Sequence, residues 1–444
     1  MLAHPALLAR HCAEAGQLEK SAGYWLKAGQ QAMARSATIE AVAQLQQGLK
    51  VLIALPYGSR RQQQELDLQI ALRSALAATK GYSAAEVGET LARARTLAEQ
   101  IDRPEYLLRL SLGQWAFHLH RSEHRLALSL AEEIEKIGVA RNDITAQLRG
   151  RRATGLSRCF LGEFVAARAL LQQCHGLGDA AHRALRTGLS DDPYATMLAY
   201  LAVTLMYLGY IDQARVRLND ALSEARGLKH AQTLAVVLSC ATWMESIIRS
   251  PEMQRHIDEL IALSTRQGFS LHLGWATAFR GSSLIALGQA QEGLALITQG
   301  LAEVRATGST ANTLRAFVWS ADAYAKLGKP VEGLNCLGEA VRIMTATDER
   351  YDEAELCRLR GDLLTAMDDR SAAEQSYHQA LAVAERQSAK PFELRAATSL
   401  ARLWRDQGKR IEARNVLAPI YDWFTEGFDT PVLQEAKALL DELV

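Results

Sequence analysis

The sequence has no surplus of charge of either sign. Lys+Arg and Asp+Glu both number 50 in 444 residues, which removes the broad basic surface that nucleic acid or an anionic membrane would call for. Proline is scarce, with 9, and β-branched residues are few beside Ala, Leu, Arg, Glu and Gln, which lose least entropy in a helix. An all-α chain follows. Its cysteines, Cys12, Cys159, Cys174, Cys240, Cys336 and Cys357, stand singly with no Cys-x-x-Cys pair. That pattern excludes a disulfide framework or zinc site and predicts reduced, mostly buried thiols in a cytoplasmic protein. The first ten residues lack the basic stretch and apolar run of a signal peptide. No uncharged apolar stretch approaches the ~20 residues that span a bilayer; Ala195 to Tyr210 comes nearest and reads as a buried helix.

Motifs for chemistry are missing too. A phosphate loop needs G-x-x-x-x-G-K-[ST], so that backbone amides and a lysine surround the phosphates. The only Gly-Lys pairs, Gly328-Lys329 and Gly408-Lys409, continue with Pro and Arg. There is no G-x-S-x-G elbow and no H-E-x-x-H pair. His118, His120 and His124 form the one histidine cluster, but residues two apart on a helix face opposite ways, so His118 and His120 do not share an ion. No catalytic residue, cofactor or metal ligand is assigned. The expectation is a non-enzyme.

What is present is a repeat. Turn signals fall at Gly81, near Ser122, at Gly162, Gly209, near Arg249, at Gly288, Gly328, near Asp368 and at Gly408, about 40 residues apart except for a longer step from Gly162 to Gly209. A fixed period of this size marks a solenoid of helix pairs. Side-chain size recurs around each turn. Phe317, Ala321 and Tyr324 precede Gly328, and Gly333, Leu337 and Ala340 follow it. Gly361 and Leu364 precede Asp368, and Ala373, Tyr377 and Ala380 follow. Ala401 and Trp404, then Ala413, Leu417 and Ile420, surround Gly408. Small residues let two backbones approach while large ones fill the space beside them. Gly16, with Ala9 before it and Ser21, Trp25 and Ala28 after it, reads as a further turn of this kind. The pattern resembles that of tetratricopeptide repeats along nearly the whole chain.

The expected architecture is therefore an all-α, tetratricopeptide-like superhelical solenoid over residues 1–444, with about ten helix pairs. Gly176 to Pro193 is predicted as a longer loop, and Pro431 to Leu443 as a capping helix. Thr242 and Gln254 occupy small positions around Arg249, so packing there is expected to be least regular. Pro104, Pro193, Pro251, Pro330, Pro391 and Pro431 fall at helix starts, where proline is tolerated; Pro419 falls inside a helix.

Further segments are more specific. They include His4-Pro5-Ala6-Leu7-Leu8-Ala9-Arg10-His11, Tyr24-Trp25-Leu26-Lys27-Ala28-Gly29, Gly113-Gln114-Trp115-Ala116-Phe117-His118, Leu400-Ala401-Arg402-Leu403-Trp404, and Tyr421-Asp422-Trp423-Phe424-Thr425-Glu426-Gly427-Phe428-Asp429-Thr430. Together they resemble the C-terminal tetratricopeptide region of bacterial proteins that join a class III adenylate/guanylate cyclase to a signal-transduction ATPase. The resemblance implies a protein-binding scaffold, the sensor or regulatory arm of such a protein, with ATPase or cyclase domains or an acidic peptide as partner. It brings no catalysis, because the family's cyclase and nucleotide motifs lie upstream of the matching region. Both a piece of a longer chain and a stand-alone relative fit it. A second reading is the regulatory arm of an ATPase-type transcription activator without its DNA-binding domain.

In tetratricopeptide folds the first helix of each pair lines the concave face. In this register the inward positions are Arg109, Arg149, Arg152, Trp275, Arg315, Asp322, Glu355, Arg358, Asp362, Arg395, Arg402 and Arg405. Arginine dominates them, and its planar fork suits carboxylates. A groove for an acidic partner is the expectation.

Overall fold

The structure, a computed structural model, describes residues 4–102, 104–176 and 191–443, with the backbone alone for Pro104, Glu105 and Arg109. The predicted loop at 176–193 therefore lies almost wholly outside the described residues. Among the described residues there are 22 helices and no strand.

Twenty of the helices form ten antiparallel pairs: Leu18–Ala34 with Thr38–Ile53, Ser59–Lys80 with Ala85–Gln100, Pro104–His120 with His124–Ala140, Ile144–Phe160 with Phe164–Gly176, Pro193–Tyr207 with Ile211–Leu228, Ala231–Ile248 with Met253–Gln267, Ser270–Ala286 with Ala290–Ala306, Thr313–Lys326 with Pro330–Thr347, Glu353–Ala366 with Arg370–Gln387, and Lys390–Asp406 with Arg410–Asp422. Pro5–Glu14 precedes them and Pro431–Glu442 follows. All nine turns read from the sequence contain a residue of positive φ, whether glycine, as at Gly162 (74°), or Ser122 (58°), Arg249 (55°) and Asp368 (61°). Gly16 is also a left-handed turn (72°), but it joins the leading helix to the first pair. That pair turns at Ser36 (φ 59°), a position the glycine rhythm conceals.

Close backbone approach explains the small residues. A Cβ on Gly300 would lie 2.4 Å from the Gly274 carbonyl oxygen, and one on Gly293 would lie 2.5 Å from that of Gly281. Gly361 makes room for the ring of Tyr377, and Ala373 and Ala380 are fully buried. Prolines 193, 330, 391 and 431 sit in the first helical turn. Pro419 lies three residues before the end of its helix, at Asp422.

The pair around Arg249 departs from expectation. Thr242 is fully buried and turns its hydroxyl to the Ser239 carbonyl (2.9 Å), while Gln254 hydrogen-bonds Asp258 (3.0 Å). Polar side chains fit small positions there by satisfying themselves locally. Ala231–Ile248 is among the most deeply buried helices, and 78% of it lies inside the protein. By length and composition it could cross a membrane, but its burial is that of a core helix.

The array coils tightly enough for successive coils to touch. Ser309 Oγ and the amides of Thr310 and Ala311 donate to the His120 carbonyl (3.0, 2.9 and 3.2 Å). The Arg350 amide donates to the Phe160 carbonyl (2.9 Å), and the Ala231 amide to Ser36 Oγ (3.1 Å). Near the C-terminal end, Glu426 accepts from the amides of Asp212 and Gln213 at a helix N-terminus (3.1 and 3.4 Å), and Arg215 pairs with Asp429 (2.9 Å). Trp423 packs on Tyr210, with its ring centroid 5.8 Å away. The distinctive segment Tyr421 to Thr430 is thus a clasp between coils.

Candidate functional site

The coil encloses a cavity whose helical wall comes from the first helices of seven successive pairs. Arg73, Trp115, Arg152, Tyr200, Trp243, Trp275 and Arg315 mark those seven helices in chain order. The space between the walls is about 1190 Å³ with its open mouth included. Aromatic rings dominate it, and its polar groups largely engage one another. Tyr82 donates to Asp191 Oδ1 (3.4 Å), and Thr196 to Asp191 Oδ2 (2.6 Å). Gln232 Nε2 lies 3.2 Å from His272 Nε2, and His272 Nδ1 lies 2.9 Å from Ser239 Oγ, which donates to the Ala235 carbonyl. That order fixes the tautomer. Ser239 has used its proton, so His272 donates from Nδ1 and accepts at Nε2. His120 Nδ1 donates to the Ala116 carbonyl (2.9 Å), and its ring stacks on Tyr82. Burial pushes both imidazoles down to about 4, so they are neutral at physiological pH.

Beside the cavity lies a fully buried polar hub. Arg315 makes a fork to Asp352 (Nε–Oδ2 2.7 Å, Nη2–Oδ1 3.0 Å) and donates to the Tyr207 hydroxyl (2.6 Å). Its guanidinium lies over the rings of Tyr351 and Trp243, 4.6 and 4.8 Å from their centroids. Trp243 Nε1 donates to the same Tyr207 hydroxyl (2.9 Å). Burial opposes the charge on Arg315, but Asp352 outweighs it and holds the guanidinium above its usual range. His124 and Glu349, both fully buried, face each other at 3.4 Å across coils.

The inward positions read from the sequence divide into three groups. Arg152, Trp275 and Arg315 line the cavity. Arg149 is buried on the helix that carries Arg152, and the Arg109 side chain lies outside the described residues. The remaining arginines line a separate cleft with Asp322, Asp362 and Glu435. There Arg358 forks onto Glu355 and also meets Asp362, and Arg395 donates to Glu355 (2.7 Å). Arg402 pairs with Glu435 (2.7 Å) and Arg405 with Glu442 (2.8 Å), both acids on the last helix. Burial pushes Arg395 down to about 9 against the pull of Glu355, and Arg249 and Arg358 add to the push. Burial raises Glu355, but Arg358 and Arg395 overcome it and hold the carboxyl at about 2. The arginines of this cleft already have carboxylate partners on the chain itself. Of the four inward arginines in this cleft, Arg402 and Arg405 are the two that keep substantial side-chain surface in water, and Arg249 beside them, 3.6 Å from Glu435, is similarly exposed.

Sequence reasoning missed Tyr82, His120, His272, Tyr207 and Asp352 as a group. They come from pairs far apart in the chain, so no spacing links them. The histidine cluster is dispersed as well: His118 meets Glu123, His120 faces the cavity and His124 meets Glu349. Among the described residues no three His, Cys, Asp or Glu side chains group as metal ligands.

A Rap protein complexed with competence and sporulation factor shares this architecture, with a TM-score of 0.59 at 11% identity over 83% of this chain and 99% of that one. The fold is a tetratricopeptide-like solenoid. Lower scores relate the chain to the apo form of the quorum sensor NprR from B. thuringiensis (0.48, 12% identity, 81% and 97% of the two chains). A signal transduction ATPase with a tetratricopeptide repeat sensor from Pyrococcus horikoshii scores 0.43, at 13% identity over 86% and 54%. No family model and no curated protein matches the sequence.

Proposed function

We propose that this chain is a non-enzymatic interaction module, the sensor or regulatory arm of a signalling protein that joins a cyclase to an ATPase. The observation that carries the reading is the inner wall: seven first helices turn their side chains onto one enclosed space, an arrangement suited to binding. The Rap protein of like architecture was crystallised with a bound factor, which supports a sensing role here. Six free cysteines, four of them buried, fit a reducing cytoplasm.

The partner surface is the C-terminal cleft. ATPase or cyclase domains, or an acidic peptide, would meet Arg402 and Arg405 and displace Glu435 and Glu442. Such exchange of one carboxylate for another is weak per contact and sensitive to salt. The test is titration of the chain with separately purified ATPase and cyclase domains at two ionic strengths. Binding should weaken with salt and fall at least ten-fold in the Arg402→Glu/Arg405→Glu variant. Arg395 is left alone because its charge is built into the core with Glu355. Affinity that ignores both salt and the double substitution would refute the acidic-partner reading.

A further inference from the structure

We infer that the cavity inside the coil is a binding site for a small aromatic carboxylate. The inference goes beyond the partner surface and does not depend on it. Its origin is Arg152, which lines the cavity and is only 5% exposed. Among the described residues it has no carboxylate or hydrogen-bond partner; its Nε is buried without an acceptor, and its one neighbour of note is the face of Trp115, 5.9 Å away. Other arginines on the same helix are matched, Arg151 by Glu135 (3.0 Å) and Arg158 by Glu132 (3.0 Å). Elsewhere in the lining, Arg315 is held by Asp352 and Tyr207. A guanidinium taken from water and given no counter-charge is unfavourable unless an anion arrives. The site asks for one.

The rest of the wall defines the body that carries the anion. Trp115, Trp243, Trp275, Phe279 and Tyr200 present rings to the space, a surface for an apolar, flat ligand. The neutral imidazoles and the Tyr82–Asp191–Thr196 and Gln232–His272–Ser239 groups largely satisfy one another. An extended peptide would bring a donor and an acceptor at nearly every residue, and few groups here are free to answer them. One anionic head on an aromatic body matches one uncompensated arginine in an aromatic wall.

Calorimetry and tryptophan fluorescence with 2-naphthoate and its neutral counterpart 2-naphthylmethanol test this on the full chain. The wild-type protein should bind the acid at least ten-fold more tightly than the alcohol, the discrimination of a buried charge-assisted contact. Arg152→Met should remove that preference while leaving the alcohol's affinity unchanged, and Arg152→Lys should restore part of it. Should the methionine variant fail to fold, the comparison of acid with alcohol on the wild-type chain still decides. Equal affinities for the two probes, or no saturable binding of naphthoate up to millimolar concentration, overturn the proposal. So does a hydrophobic pentapeptide that displaces naphthoate and binds far more tightly, because the occupant would then be a chain end. Domain binding through Arg402 and Arg405 is measured separately and should be untouched by Arg152→Met.

Discussion

Two buried histidines and one buried glutamate lie far from their ordinary values, and each should make stability depend on pH. His120 and His272 sit at about 4, well below the ordinary imidazole value. The unfolded chain therefore takes up protons that the folded one refuses, and stability should fall as pH drops from about 6.5 toward 4. With shifts of this size the loss is on the order of 3 kcal/mol per histidine. Glu355 behaves as an acid with a depressed value: its contribution is present above its unfolded range and is lost between about pH 4.5 and 2. Urea denaturation across pH 3–8 should show both limbs, and His272→Gln should flatten the upper one. A midpoint constant from pH 7 to 4.5 in the unsubstituted protein would show that these rings are not held neutral. Arg315 offers a sharper test. Truncation to Met leaves Asp352 buried without its fork, which should cost about 3–5 kcal/mol in the same denaturation experiment. Asp352→Asn in the Arg315→Met background should recover part of that loss.

Helix pairing was the most legible feature of the sequence because it depends on local size. Gly361 with Tyr377, and Ala373 and Ala380 at the crossing, are close-packed for reasons that spacing reveals. Ala373→Leu should accordingly lower stability by about 1–3 kcal/mol through overpacking. Gly300→Ala should do likewise, because its Cβ would meet the Gly274 carbonyl. Calorimetric melting of the two variants checks both. Reading failed where the signal was not local. Ser36 turns the first pair without a glycine, since any short polar residue can take the left-handed conformation at some cost. Register placed Arg152 and Arg315 inward and both line the cavity, yet nothing in it tells a lone guanidinium from one whose carboxylate, Asp352, lies 37 residues away. Whether an inward arginine faces solvent or a neighbouring coil depends on how far the coil closes. That quantity is set by small rotations summed over ten pairs, and no single residue encodes it.

At the scale of the molecule, contacts between coils alter how the array should unfold. A solenoid with nearest-neighbour contacts alone loses its repeats piecemeal. Here His124 and Glu349, 225 residues apart, are buried together. Hydrogen exchange should therefore find Ala231–Ile248 among the best-protected segments, contrary to what Thr242 and Gln254 suggest from sequence. Removing the clasp with Trp423→Ala and Glu426→Ala should raise exchange at residues 209–215 and increase the radius of gyration in solution scattering. Unchanged values for both would mean that the coil holds itself closed without it. The same geometry limits how the chain can change in length. His120 meets Ser309 across 189 residues, and Ser36 meets Ala231 across 195. Inserting or deleting one pair between such partners would shift every contact that spans it by about 40 residues, bringing the turn of a neighbouring pair, with different side chains, to each place where two fitted turns had met. An open repeat array can gain or lose units as a chain gains or loses links; this one is threaded like a bolt, and its number of pairs is part of its fit.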